Sequence, residues 1–333
     1  MRSRVTLITA IVILATLAAV AYYRSGLMNL PSVPEEVTAQ AAGLDRLPEM
    51  KSVDDAITTG RSSSDTKLAT TISALEEINK GNEQTGVIQL QDAVRHDPTN
   101  LVLGNVLRME LMKLKRKWLA ENAGKSEIAL HLPEYLNDQP VRFFRELVKS
   151  QPSREVKLQL ALSLVDHMLL FPALEIKAPS SVESVEILTD ILKNGNQKDV
   201  YYVPALYARG LNYLCRPFNL VWPERIAAPA NAASNDIGLA VAVGQKIGAG
   251  SDALKAELSL VLGDAHAKEG KLSLARSWWQ IANNMVREGK FRERVFTRLQ
   301  WNDDDVAANL EETLQHQMED LDHPLSDLRF MWQ

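Results

Sequence analysis

Apolar residues fall along this chain in two patterns. From Val5 to Tyr23 nineteen residues carry no charge, and only Thr6, Thr9 and Thr16 interrupt the run before Arg24 ends it. At 1.5 Å of rise per residue such a run is long enough to cross a hydrocarbon layer of about 30 Å, whereas the apolar stretch of a cleaved leader is about 7 to 15 residues. From Asp65 onward the period becomes that of amphipathic helices. Leu103, Leu107, Leu111, Leu114 and Trp118 recur at steps of three and four, as do Leu158, Leu162, Val165 and Leu169, and again Leu254, Leu258, Leu262 and Ala265. No segment alternates as a half-buried strand would. Turn sequences such as Lys80-Gly81-Asn82, Asp97-Pro98, Gln151-Pro152, Asn194-Gly195-Asn196 and Glu269-Gly270-Lys271 cut the pattern into helices of about 12 to 20 residues. The expectation is an all-α chain of helix hairpins, preceded by one transmembrane helix.

Four regions follow. Residues 1–24 form an anchor or signal segment, and residues 25–64 a linker rich in Pro, Gly and Ser, with a short helix near Glu35 to Ala42. Residues 65–301 are the helical body, with hairpins starting near 65, 100, 153, 200 and 251 and inserted loops at 121–137 and 216–229. Residues 302–333 are an acidic C-terminal helix and tail. Asp303 to Asp305 would open that helix, and Val306, Leu310, Leu314 and Leu321 would line its inner side.

An internal repeat runs through the body. Gly81, Gly86, Leu90 and Ala93 are spaced five, four and three residues apart, and Gly270, Ala275, Trp279 and Ala282 repeat those intervals. Glycine allows the sharp turn between antiparallel helices, the small residue five later lets the second helix approach the first, and the bulky residue and alanine continue the buried stripe. Pro98 stands five beyond Ala93, where a proline ends one hairpin and starts the next. With Leu262 and Gly263 ahead of the second set, this constellation resembles the tetratricopeptide repeat, in a degenerate form whose units are mostly longer than the family's period of about 34 residues. The resemblance implies a right-handed α-solenoid of stacked hairpins with a long face that binds peptides or proteins.

Composition narrows the function classes. One Cys in 333 residues excludes a disulfide framework and thiolate metal clusters. A net charge of −5 lacks the basic footprint of a nucleic-acid-binding protein. The charge is uneven, with nine acids against Arg329 alone from Asn302 onward and eight basic residues against three acids between Lys268 and Arg298, so the two regions either pair internally or face partners. Arg2 and Arg4 precede the apolar run, which would keep the N-terminus in the cytoplasm and the body in the periplasm or its equivalent; with Ala19-Val20-Ala21 read as a cleavage site, the body would instead be secreted.

No chemistry-bearing motif emerges. The six histidines (His96, His131, His167, His266, His316, His323) never fall on one helical turn, Cys215 has neither a second Cys nor a His nearby in sequence, and adjacent acids such as Glu76-Glu77 point apart on a helix. No catalytic residue, metal, cofactor or small-molecule substrate is expected. Partner contact is expected instead around Tyr201, Tyr202, Arg209, Asn212, Phe218 and Trp222, where aromatic and polar side chains precede a Pro-rich loop. The run Lys113, Lys115, Arg116, Lys117 reads as a solvated helix end, or as a basic patch for acidic partners. These readings describe a membrane-anchored extracytoplasmic scaffold or adaptor in an envelope assembly, with a periplasmic chaperone or assembly factor for client peptides as the alternative.

Overall fold

The computed structural model of the protein describes residues 30–38, 66–122, 133, 136, 139–170, 174–194, 202–216, 228–248, 252–286, 288–316 and 327–328. Among these residues there are twelve α-helices and no strand: α1 (Thr66–Asn79), α2 (Glu83–His96), α3 (Leu101–Glu121), α4 (Gln139–Ser150), α5 (Arg154–Leu170), α6 (Leu174–Asn194), α7 (Tyr202–Leu214), α8 (Ala232–Ile247), α9 (Asp252–Lys268), α10 (Leu272–Met285), α11 (Lys290–Gln300) and α12 (Val306–His316). The chain is all-α, as the apolar period requires. Helices α1, α3, α5, α7 and α9 begin within two residues of the expected hairpin starts.

Local chemistry sets these boundaries. Gly81 turns the chain from α1 to α2 at φ +92°, and Gly270 turns it from α9 to α10 at φ +75°, a region that glycine enters without steric cost. Asn100 caps α3, its Oδ1 accepting from the amides of Val102 at 3.0 Å and Leu103 at 3.3 Å, and Ser153 does the same for Val156 at the start of α5. At the other end of α7, the Lys268 ammonium reaches across from α9 and donates to the carbonyls of Leu214 and Arg216, both at 2.6 Å. Close helix approach uses the small residues of the repeat. A Cβ on Gly86 would stand 2.4 Å from the Ala74 carbonyl oxygen, so α1 and α2 touch backbone to backbone there.

Each helix from α1 to α10 packs against its successor, α12 packs on α9, and α3, α5, α7 and α9 also touch one another in series. One continuous apolar core follows this arrangement from Val37 and Ala74 to Ile281. A second cluster joins Leu260 and Ala267 of α9 to Ala275, Trp279 and Ala282 of α10, Val295 of α11, and Val306 and Leu310 of α12. The inward side expected for the C-terminal helix is thus present at Val306, Leu310 and the partly buried Leu314, while Leu321 lies outside the described residues.

Three local readings change. Within the stretch expected to be a linker, residues 30–38 lie on the body: Val37 is buried, Pro31 and Leu30 pack near Gly238 of α8, and Lys246 donates to the Val33 and Pro34 carbonyls. Glu35 and Glu36 form a turn closed by the Val37 amide on the Pro34 carbonyl, where the start of a short helix was expected. The basic run at 113–117 is no solvated end, because α3 continues to Glu121. Lys113 and Lys117 are exposed and pair with Glu110 and Glu83, but Lys115 is buried. The apolar run at 5–23 lies outside the described residues, among which no helix is long and apolar enough to cross a membrane.

The α9–α10 turn holds a titratable clasp. Burial pushes the Glu269 carboxyl up, but His266, Lys271 and Ser234 facing it outweigh burial and bring it down to about 2 from an ordinary 4.5. A carboxyl depressed in the folded state adds stability that is complete above its unfolded value and disappears as pH falls through the folded one. Chemical denaturation should therefore show stability declining between pH 4.5 and about 2, and Glu269→Gln should flatten the decline in that window; an unchanged slope would mean that other carboxylates set it.

Candidate functional site

Helix α3 is enclosed by α2, α4 and α5, so its first three turns are buried on nearly every side, polar residues included. Asn105, Arg108, Met112 and Lys115 stand three or four residues apart and share one face. Arg108 is 1% exposed and Asn105 0%. A buried guanidinium is tolerable only if its donors are met, and here all three nitrogens have partners. Nε donates to Gln159 Oε1 at 2.6 Å, Nη1 to Asp166 Oδ2 at 3.0 Å, and Nη2 to Asn105 Oδ1 at 3.2 Å. Burial pulls the Arg108 guanidinium below its ordinary range, and the charges of Asp166 and Asp327 oppose that pull.

Gln159 fits because α3 is narrow where it crosses. A Cβ on Gly104 would come within 2.7 Å of the Gln159 amide nitrogen, which instead donates to the Leu101 carbonyl at 3.2 Å. The α5 residues Gln159 and Asp166 thereby fix the Arg108 head group, and Arg108 fixes Asn105.

What Asn105 holds is a remote piece of the same chain. Its Nδ2 donates to Asp327 Oδ1 at 2.9 Å, and its Oδ1 accepts from the Leu328 amide at 2.9 Å. Asp327 is 6% exposed and Leu328 0%, with the leucine side chain in the same core as α3 and α5. One side-chain amide thus meets a carboxylate and the next main-chain N–H together. The α3–α5 face seats these two residues of the chain's own C-terminal region.

The residues expected to meet a partner are placed differently. Tyr202 and Asn212 are buried, Asn212 bonded to Ser181 of α6. Arg209 makes a two-point pair with Asp236 of α8 at 2.6 and 2.8 Å and reaches Thr189. The polar groups of Arg209 and Asn212 join α6, α7 and α8, while Tyr201, Phe218 and Trp222 lie outside the described residues. The expected inserted loops at 121–137 and 216–229 fall mainly outside the described residues.

Gly86, Leu90, Leu262, Gly263, Ala275, Trp279 and Ala282 are buried, Ala93 and Pro98 half-buried, and Gly81 and Gly270 sit exposed at the turns. The basic stretch 268–298 is neutralised mainly by α9: Arg298 pairs with Asp264 at 2.7 and 2.9 Å and Arg294 with Glu257 at 3.0 Å, whereas Arg276 binds Asp303 of the acidic tail.

Among the described residues no three His, Cys, Asp or Glu side chains converge to hold an ion. Tyr207 is wholly buried beside Glu257; burial first, then that carboxylate, pushes its hydroxyl well above its ordinary value, which keeps it neutral. The Asn105 seat left no mark in the apolar period. Its sequence signal is a polar triplet, Asn105, Arg108 and Lys115, at helical spacing, with Asn105 and Arg108 the polar side chains of an otherwise apolar stretch from Leu101 to Met109. No protein-family model and no curated protein matches the chain.

Proposed function

We propose that the chain is a helical-repeat scaffold or adaptor that grips a segment of a protein partner on the α3–α5 face, held at a membrane by residues 5–23 with its body on the extracytoplasmic side. The observation that carries this reading is the two-point hold of Asn105 on Asp327 and Leu328. A buried amide already engaged with a backbone N–H and an adjacent carboxylate is chemically a peptide-binding group. The order of packing supports a tetratricopeptide-like solenoid, because each helix from α1 to α10 meets the next and α3, α5, α7 and α9 form a continuous layer to which the seat belongs. The sequence pattern supplies the membrane segment and the topology.

A second reading, a chaperone or assembly factor for client peptides, is favoured by one detail. The Leu328 contact is to a main-chain amide, which every residue except proline offers, so part of the grip is tolerant of sequence.

A photoreactive residue at Arg116, on the face shared with Asn105, tests both readings in the native envelope, with Lys113 on the exposed side as control. A discrete polypeptide adduct at position 116 and none at 113 is expected. One partner at fixed stoichiometry marks a scaffold and many partners mark a chaperone; no polypeptide adduct at 116 overturns both.

A further inference from the structure

Resting on that reading, we propose that the α3–α5 seat selects a peptide in which an acidic residue is followed by a large aliphatic one, and that Asp327–Leu328 is the chain's own competitor for the seat. Partner binding then requires release of the C-terminal segment.

The selectivity follows from what each group would lose. The Asn105 Nδ2 donor has Asp327 Oδ1 as its acceptor, and an aliphatic residue at that position would leave a buried N–H unmet. The charge of Arg108 lies close enough to act on Asp327, so a basic residue there would face a guanidinium in a dry setting. The next position is a closed apolar site, because Leu328 is 0% exposed and belongs to the core shared by α3 and α5. A charged or small residue would either bury a charge or leave a void. Proline would remove the N–H that Asn105 Oδ1 accepts. Charge on a wider scale agrees: α3 carries Arg108, Lys113, Lys115, Arg116 and Lys117, and residues 302–333 hold nine acids against one arginine.

The competition follows from the tether. Asp327 lies 222 residues from Asn105 in sequence but only eleven residues beyond the end of α12. Eleven residues reach at most about 40 Å, so the segment stays near the seat at an effective concentration on the order of millimolar. Its footing includes two hydrogen bonds to Asn105 and one buried leucine. A partner that repeats this footing and adds contacts along the face can displace it, and until then the self-occupied fraction lowers the apparent affinity.

The experiment uses the full-length protein and a fluorescent peptide copying residues 322–333, read by anisotropy. Relative to the parent chain, Asp327→Ala with Leu328→Ala should bind this peptide at least about tenfold more tightly. A peptide carrying Asp327→Lys should bind the double variant at least about tenfold more weakly than the native peptide. Adding Asn105→Asp, which keeps the shape of the side chain but repels the acid, should remove binding from a chain with an unchanged circular dichroism spectrum.

The proposal is overturned if the double variant is folded and binds no better than the parent, or if it unfolds, which would make the segment a structural strut. It is also overturned if the parent sediments as a dimer that the double variant dissociates, since the segment would then be exchanged between copies. If the peptide fails while the residue-116 crosslinker still captures a polypeptide, the recognition chemistry falls and the scaffold reading stands. If the peptide binds and the crosslinker captures nothing, the scaffold reading falls alone.

Discussion

Trp279→Ala is expected to lower the free energy of unfolding by about 3–5 kcal/mol, the cost of removing a wholly buried large aromatic side chain. Trp279 is 0% exposed at the centre of the cluster that joins α9, α10, α11 and α12. Its indole lies in a slot made by glycine: a Cβ on Gly263 would stand 2.4 Å from Trp279 Cδ1. Trp301 meets the ring edge-on at 5.8 Å, and Nε1 donates to Asp264 Oδ1 at 2.9 Å. Removing the ring therefore opens a cavity and withdraws one donor from a buried carboxylate. That carboxylate keeps its two bonds from Arg298, which is why the expected loss is that of a cavity rather than of a stranded charge. Denaturant titration followed by circular dichroism measures it. Trp279→Phe should recover most of the packing and cost less. A Trp279→Ala protein that unfolds at the parent's midpoint would mean that this cluster adds little to the fold.

The same region shows what the amino-acid order makes legible. Gly270, Ala275, Trp279 and Ala282 predict a turn and a buried stripe from spacing alone, because turn geometry and the 3.6-residue period are local properties. The helices and their starts were readable for that reason, as was the inner side of α12 at Val306 and Leu310. Contacts between distant segments were not. Arg209 and Asn212 look like surface recognition groups when read along α7, and only the packing of α6 and α8 against them turns them inward. Lys115 reads as part of a solvated basic run until tertiary packing buries the fourth turn of α3 around it. Asp327 and Leu328 are two residues in an acidic tail, and no period on either side links them to Asn105. The seat is visible only after the fold has brought the two together.

Asp166→Ala is expected to cost a further large amount, about 3–5 kcal/mol, by a different mechanism. Here no cavity dominates. The loss comes from Arg108, whose side chain is 0% exposed and whose Nη1 has Asp166 as partner at 3.0 Å. Without that carboxylate a guanidinium would remain in the interior with the neutral oxygens of Gln159 and Asn105, and with Asp327 as the nearest remaining anion. Charge burial without compensation is what makes a broken internal pair so costly, so converting both members to apolar residues should undo much of the damage. Asp166→Leu combined with Arg108→Met should accordingly melt above Asp166→Ala, and a double variant no more stable than the single one would show that shape rather than charge sets the penalty. The pair also reaches the seat, since Arg108 Nη2 is what steadies Asn105 Oδ1. In Asp166→Asn, which preserves volume, the Leu328 amide should exchange with solvent faster than in the parent while amides in α9 and α10 keep their protection. Uniform protection across both regions would mean that Asn105 holds the C-terminal segment without help from α5.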